Sequence, residues 1–123
     1  MRHIITILLQ NEAGALARVA SLFSSRGYNI ESLNVAPTDN PIVSRLTLVT
    51  RGSDEVIEQI SKQLGKLVDV VNIVDMTDDD HIERELALFK LQLHENGRKE
   101  LLGLVSQCGA RILDDHKGHL TVE

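Results

Sequence analysis

An apolar run rich in β-branched residues, His3-Ile4-Ile5-Thr6-Ile7-Leu8-Leu9, passes through the short polar break Asn11-Glu12-Ala13-Gly14 straight into a segment of helical period. The run itself reads as a strand. Leu16, Val19, Ala20 and Phe23 then recur at i, i+3, i+4 and i+7, which is one face of a helix. Arg26 in its last turn and Gly27 just beyond form a stop signal. A strand that turns through glycine into a helix presents unpaired backbone N–H groups at the helix mouth, where the helix dipole favours a carboxylate or phosphate. No nucleophile or general base stands in this segment, so its chemistry points to holding a small anion. The plainer reading is that Gly14 eases a tight turn and Asn11 caps it.

The pattern continues as strand, strand, helix, strand. A second strand is expected over residues 29–36, a turn at Pro37-Thr38-Asp39-Asn40-Pro41, and a third strand over residues 42–50. Gly52-Ser53 opens a second helix with Asp54 and Glu55 in its first turn, where acids suit the dipole. Its buried stripe is Val56, Ile57, Ile60 and Leu64, and a fourth strand follows over residues 68–74. The order is β-α-β-β-α-β. The acidic stretch from Asp75 to Asp80 then marks a boundary, and the pattern begins again. Residues 83–93 read as a strand, and Asn96-Gly97 starts a helix carrying Leu101, Leu104, Val105 and Cys108. Residues 111–113 and 120–122 read as strands around the turn Asp114 to His119. The fold class is therefore α+β: a βαββαβ domain over residues 1–76, an acidic linker at 77–82, and a partial β-α-β-β unit over 83–123.

Composition narrows the function. With 42% hydrophobic residues and only Phe23, Tyr28 and Phe89 aromatic, the core must be aliphatic. A formal net charge of −5 argues against a nucleic-acid or anionic membrane surface. The single cysteine, Cys108, rules out an internal disulfide and a thiol-rich zinc site. The N-terminal apolar run is too short for a signal-peptide core or a membrane span, so a soluble cytoplasmic protein is expected.

The βαββαβ order hosts many unrelated functions, so the sites must decide. An RNA-recognition motif stacks bases on aromatic residues of its central strands, whereas these read His3 to Leu9 and Ser44 to Val49, without one. A ferredoxin needs a cluster of cysteines. Neither reading fits these residues, and the loop from Asn11 to Leu16 keeps its reading as a holder of a small anion.

Particular stretches now carry a resemblance. Asn11-Glu12-Ala13-Gly14-Ala15-Leu16-Ala17-Arg18-Val19, Phe23 to Leu33, Val35-Ala36-Pro37-Thr38, Lys62-Gln63-Leu64 and Lys66-Leu67-Val68-Asp69-Val70 resemble the regulatory (small) subunits of acetolactate synthase, also called acetohydroxyacid synthase. The likeness is close over residues 2–75, which resemble a ferredoxin-like ACT domain, and continues into His81-Ile82-Glu83-Arg84-Glu85-Leu86. It implies a non-catalytic chain that dimerises through its ACT domains, binds valine or another branched-chain amino acid where the domains meet, and controls a separate catalytic subunit. By the same resemblance the effector's carboxylate meets backbone N–H groups around Gly14, Ala15 and Leu16, with Asn11 offering its side-chain amide. Asn29 and Ile30 come from the partner chain, although Ile30 equally suits plain core or interface packing. The cofactors implied, thiamine diphosphate, Mg²⁺ and FAD, belong to the catalytic subunit, and none is expected in this chain. A free-standing ACT-type sensor acting on another enzyme or regulator is the alternative.

Weaker signals have plainer explanations. Asp114, Asp115, His116 and His119 form a ligand-rich turn that is expected to be merely polar and solvated. Cys108 is expected as a small core residue, and Asp78-Asp79-Asp80 as flexible acidic linker. No Ser/His/Asp arrangement, Walker loop or dinucleotide fingerprint is visible.

Overall fold

The computed structural model describes residues 1–94, 97–116 and 118–123. The chain forms two compact units, Met1–His81 and Ile82–Glu123.

In the first unit, β1 (Arg2–Gln10), α1 (Ala15–Ser25), β2 (Ile30–Pro37), β3 (Val43–Arg51), α2 (Asp54–Leu64) and β4 (Val70–Asp75) follow in that order. The strands make one antiparallel sheet of order β2-β3-β1-β4. Each helix therefore crosses over the strand lying between the two it connects, which is the ferredoxin-like arrangement. Strand alternation selects the core. Ile5, Ile7 and Leu9 of β1 and Leu46 and Leu48 of β3 point to one face, and their cross-strand partners agree: Ile5 opposes Leu48 and Ile7 opposes Leu46. Val19, Leu22 and Phe23 of α1 and Ile57, Ile60 and Leu64 of α2 close over that face. Burying side chains of this size contributes about 1.5–3 kcal/mol each; Phe23 is 1% exposed, and Tyr28 packs against the same core.

The helix ends follow local chemistry. Gly27 takes φ +71° after α1, the Tyr28 N–H donates to the Phe23 carbonyl at 3.0 Å, and the Gly27 N–H donates to that of Ser24 at 3.1 Å. This is a Schellman stop. Its apolar contact is present too, with the Phe23 and Tyr28 rings edge to face at 6.5 Å. Two sequence expectations shift here. Helix α1 starts at Ala15, so Ala15 joins Val19 on the buried side while Leu16 is 39% exposed. Strand β4 starts at Val70, because residues 66–69 turn out of α2, with Lys66 N–H on the Gln63 carbonyl and Val70 N–H on that of Leu67, both at 3.1 Å.

The second unit contains β5 (Phe89–Gln92), α3 (Arg98–Gln107), β6 (Ile112–His116) and β7 (His119–Val122), with the three strands in the order β5-β7-β6. That is the order β1-β3-β2 of the first unit, repeated. Its small core holds Val105, Leu120 and Val122. Here the sequence misled more. The strand expected over 83–93 is confined to Phe89–Gln92, since β7 offers pairing partners only from Val122 to His119. Leu101 packs in the core with Val105, one helical turn apart, whereas Leu104 on the next row of α3 is 55% exposed. Cys108, in Leu104's row, caps the C-terminus of α3 and is exposed, so it is no core residue. Asp114, Asp115 and His116 belong to β6 and His119 to β7, with Gly118 at φ +77° just before β7. Asn96, expected to start the helix, lies outside the described residues. Among the described residues no helix is long and apolar enough to cross a membrane.

Candidate functional site

The mouth of α1 is built by the end of β1. The Gln10 N–H donates to the Asp69 carbonyl and the Asn11 N–H to that of Ile42, both at 2.8 Å. The Asn11 side-chain amide donates to the Pro41 carbonyl at 2.9 Å, so this side chain clips the β2–β3 turn to the loop. Gly14, at φ +88°, stands in the N-cap position, and no side chain caps the helix. Only glycine adopts such a backbone without strain. The Ala15 N–H is taken by the Glu12 carbonyl at 3.3 Å and the Arg18 N–H by that of Gly14 at 3.0 Å. The N–H groups of Gly14, Leu16 and Ala17 have no acceptor among the described residues. The helix mouth thus keeps open donors beside the positive end of its dipole.

Arg18 completes this mouth. It lies one turn into α1, and a Cβ added at Gly14 would stand 2.9 Å from its Nη1. Its other side grips Asp69: Nε donates to Oδ2, and Nη2 to Oδ1 at 2.9 Å. The Asp69 side chain is 4% exposed and that of Arg18 45%. Arg18 holds the Asp69 carboxyl below the usual carboxylate range, mainly through this hydrogen-bonded pairing, with burial opposing. The guanidinium is held above its usual range by the same hydrogen bond. An open groove of about 550 Å³ runs from Gly14 past Ala17, Arg18 and Ser21. The sequence did not single out Arg18 or Asp69. The i, i+4 spacing from Gly14 to Arg18 was available as a signal, but nothing local announces a pairing across 51 residues.

The other candidate residues lie elsewhere in the chain. Ile30 opens β2 opposite Thr50 of β3, and Thr50 in turn opposes His3 at the start of β1. The Asn29 carbonyl accepts from the Thr50 hydroxyl at 2.6 Å, and Ile30 packs half-buried against the core. Asn11 to Leu16 leave the opposite end of β1, so about 23 Å of strand separates the two groups within one chain. The structure brings Asn11, Gly14, Ala15 and Leu16 together, and keeps Asn29 and Ile30 away from them.

The weaker cluster in the second unit has a structural occupation. Asp115 is ion-paired with Arg98, whose Nη1 donates to Oδ1 at 3.1 Å, and this pairing lowers the Asp115 carboxyl from its usual range. Among the described residues no group of three or more His, Cys, Asp or Glu side chains is placed to hold a metal ion.

A split βαββαβ sheet with an open, uncapped glycine mouth on its first helix defines an ACT-type domain. The family model described as the AHAS small subunit-like ACT domain matches residues 5–72, and the chain belongs to the family of acetolactate synthase small subunits. It is 55% identical to the acetolactate synthase isozyme 3 small subunit of Escherichia coli over 100% of this chain and 76% of that protein. Identity to the isozyme 3 small subunit of Salmonella typhimurium is also 55%, over 93% of this chain and 70% of the other. The crystal structure of the small subunit from Thermotoga maritima superposes with a TM-score of 0.88 at 35% identity, over 99% of this chain and 76% of that one.

Proposed function

We propose that this chain is the regulatory subunit of a cytoplasmic acetolactate synthase, with an ACT regulatory domain over residues 1–76 and a linker at 77–82 leading to the second unit. A branched-chain amino acid, valine foremost, binds where two ACT domains meet and sets the activity of a separate catalytic subunit. That subunit carries thiamine diphosphate, Mg²⁺ and FAD.

The observation that carries the reading is the mouth of α1: Gly14 at φ +88°, open N–H groups on Leu16 and Ala17, and the Arg18 guanidinium alongside. An amino acid's carboxylate fits donors of this kind. Of the three backbone donors expected, Ala15 is internally bonded, and Gly14 and Leu16 remain for the ligand.

The sheet supports the second half of the site. Among the described residues β2 pairs with β3 alone, and this edge strand carries Leu33, 42% exposed, and Val35, 36% exposed. A long edge strand of this kind invites pairing. If two β2 strands pair about a two-fold axis they run antiparallel, and the Ile30 end of one protomer meets the Pro37 end of its partner. Pro37 opposes Ser44, and Ser44 opposes Leu9, at the end of the sheet from which the Gly14 loop leaves. Such a dimer sets Asn29 and Ile30 of one protomer beside Asn11 to Leu16 of the other.

Inhibition is then a coupling free energy, since the effector must favour one arrangement of the complex over another. An apolar pocket separates ligands differing by one methylene only modestly, so valine, leucine and isoleucine bind with graded strength. Calorimetric titration of the purified chain with each amino acid tests the ligand, and co-purification tests the partner. A thiamine diphosphate enzyme should accompany the chain. Binding without such an enzyme would replace this reading with a free-standing sensor.

A further inference from the structure

We propose that the groove between α1 and α2 is the surface on which an acidic segment of the catalytic subunit docks, an inference that rests on the regulatory role proposed for the chain.

The chain carries 18 acidic against 13 basic residues, so acids outnumber bases over its surface at large. The groove that runs from Gly14 between the helices reverses this. Arg18, Arg26 and Lys66 line it together with Ser21, Ser25 and Gln63, and among the described residues lining it there is no aspartate or glutamate.

The three cations are not equally spent. Arg18 gives two nitrogens to Asp69, and Glu12 adds to the attraction on it. Arg26, at the C-cap of α1, is held by neutral oxygens instead. Its Nη2 donates to Gln63 Oε1 at 3.2 Å and its Nη1 to Ser25 Oγ at 3.4 Å. The Ser25 hydroxyl is itself anchored, donating to the Leu22 carbonyl at 3.1 Å. Bonds to neutral acceptors orient a guanidinium and leave its charge unopposed. Lys66, two residues beyond α2, is exposed and has no ion pair among the described residues. Lys62, four residues earlier, is by contrast paired with Glu58. Like charges left unopposed along one groove repel each other, and a partner's carboxylates relieve that repulsion.

Shape favours a peptide segment over a small anion. Arg18 and Arg26 stand two turns apart on α1, about 12 Å along the helix axis, and Lys66 follows the other helix. The groove, about 550 Å³, is open to solvent. Its floor is apolar, with Leu22 buried and Leu67 half-buried. Cations strung along an apolar floor match a chain that alternates carboxylates with apolar side chains, and about four extended residues span the distance. A single phosphate would need the same donors to converge on one point.

The test uses the full chain with two probes. A blocked peptide of six glutamates, followed by NMR, should shift the amides of Ser21, Ser25 and Lys66 and the Arg26 Nε–H, and added salt should weaken it severalfold. The catalytic subunit is the second probe. Reversing both free charges, Arg26→Glu with Lys66→Glu, should lower the affinity for each probe at least about tenfold. Both positions are exposed and lie outside the α1 mouth, so the reversed chain should keep its Tm and its affinity for valine. Equal affinity of the native and reversed chains for the catalytic subunit overturns the proposal and leaves the regulatory role standing. Peptide shifts gathered on another surface overturn it too. So does inorganic phosphate that moves the same amides and displaces the peptide at equal concentration, which would make the groove a small-anion site. A native chain that ignores the catalytic subunit overturns the regulatory role and this docking with it.

Discussion

The Arg18 guanidinium holds the buried Asp69 carboxylate with two nitrogens and, with a third, faces the Cα of Gly14. One side chain thereby ties the first turn of α1 to the segment between α2 and β4, and lines the helix mouth. The bidentate geometry fixes the guanidinium plane, so the Nη1 beside Gly14 is held in position before any ligand arrives.

Gly14→Asp should abolish valine binding and leave the fold standing. The backbone there costs a non-glycine residue about 1–2 kcal/mol, and aspartate is among the residues that tolerate it best. The added Cβ meets Arg18 Nη1 at 2.9 Å, and the new carboxylate occupies the anion's place. Calorimetry should show no heat of binding, while circular dichroism and an only slightly lowered Tm report the intact domain. Undiminished binding would remove the site from this loop.

Gly27→Ala is the matched control. Gly27 is also left-handed, at φ +71°, with nothing within 4 Å of an added Cβ. The substitution should cost about 1 kcal/mol from backbone strain alone and leave the affinity for valine unchanged. Chemical denaturation and calorimetry on one preparation separate the two effects.

Asp69 gives the first unit an acid limb. Its folded-state carboxyl is lowered, chiefly by the hydrogen-bonded pairing with Arg18, so the unfolded chain binds a proton there more readily than the native one. This contribution is fully present above the unfolded value, about pH 4, and is lost as pH falls through the lower folded value. Asp69→Asn should lower the urea midpoint at pH 7 and flatten its fall between pH 4 and more acid conditions. An acid limb as steep as the native one would assign it to other carboxylates.

Leu33→Lys should weaken the dimer. In an antiparallel β2–β2 pairing the middle of the strand lies near the two-fold axis, so each new ammonium approaches its own copy, and like charges across a strand pair repel. The dissociation constant should rise at least about tenfold, or about 1.4 kcal/mol, as read by analytical ultracentrifugation. A mass distribution unchanged at micromolar concentration would place the interface on another surface.

Much of this architecture is written locally. The stripe Ile57, Ile60 and Leu64 is buried as its spacing requires, and Gly27 stops α1 through contacts made within six residues. Periodicity failed where the neighbour decides. Leu104 and Cys108 are as regularly spaced as Leu101 and Val105, yet only the latter row faces β7. The strand expected over residues 83–93 shortens for the same reason, because β5 pairs with β7 over Phe89 to Gln92. The candidate site shows the same division. Gly14 was legible because a left-handed turn demands glycine. Arg18 with Asp69 was not, because that pairing joins residues 51 positions apart.

The shared site itself is tested most directly by mixing two defective chains. Gly14→Asp spoils the helix-mouth half of every site in its own dimer, and Asn29→Ala spoils the opposite half in its own. In a mixed dimer both defects fall in one site, and the other is assembled from two native halves. Each homodimer should bind valine poorly, and exchange of subunits should restore tight binding with one site per mixed dimer. Absence of any recovery in mixed dimers, or an Asn29→Ala homodimer that binds as well as the native chain, would contradict a site shared between two protomers.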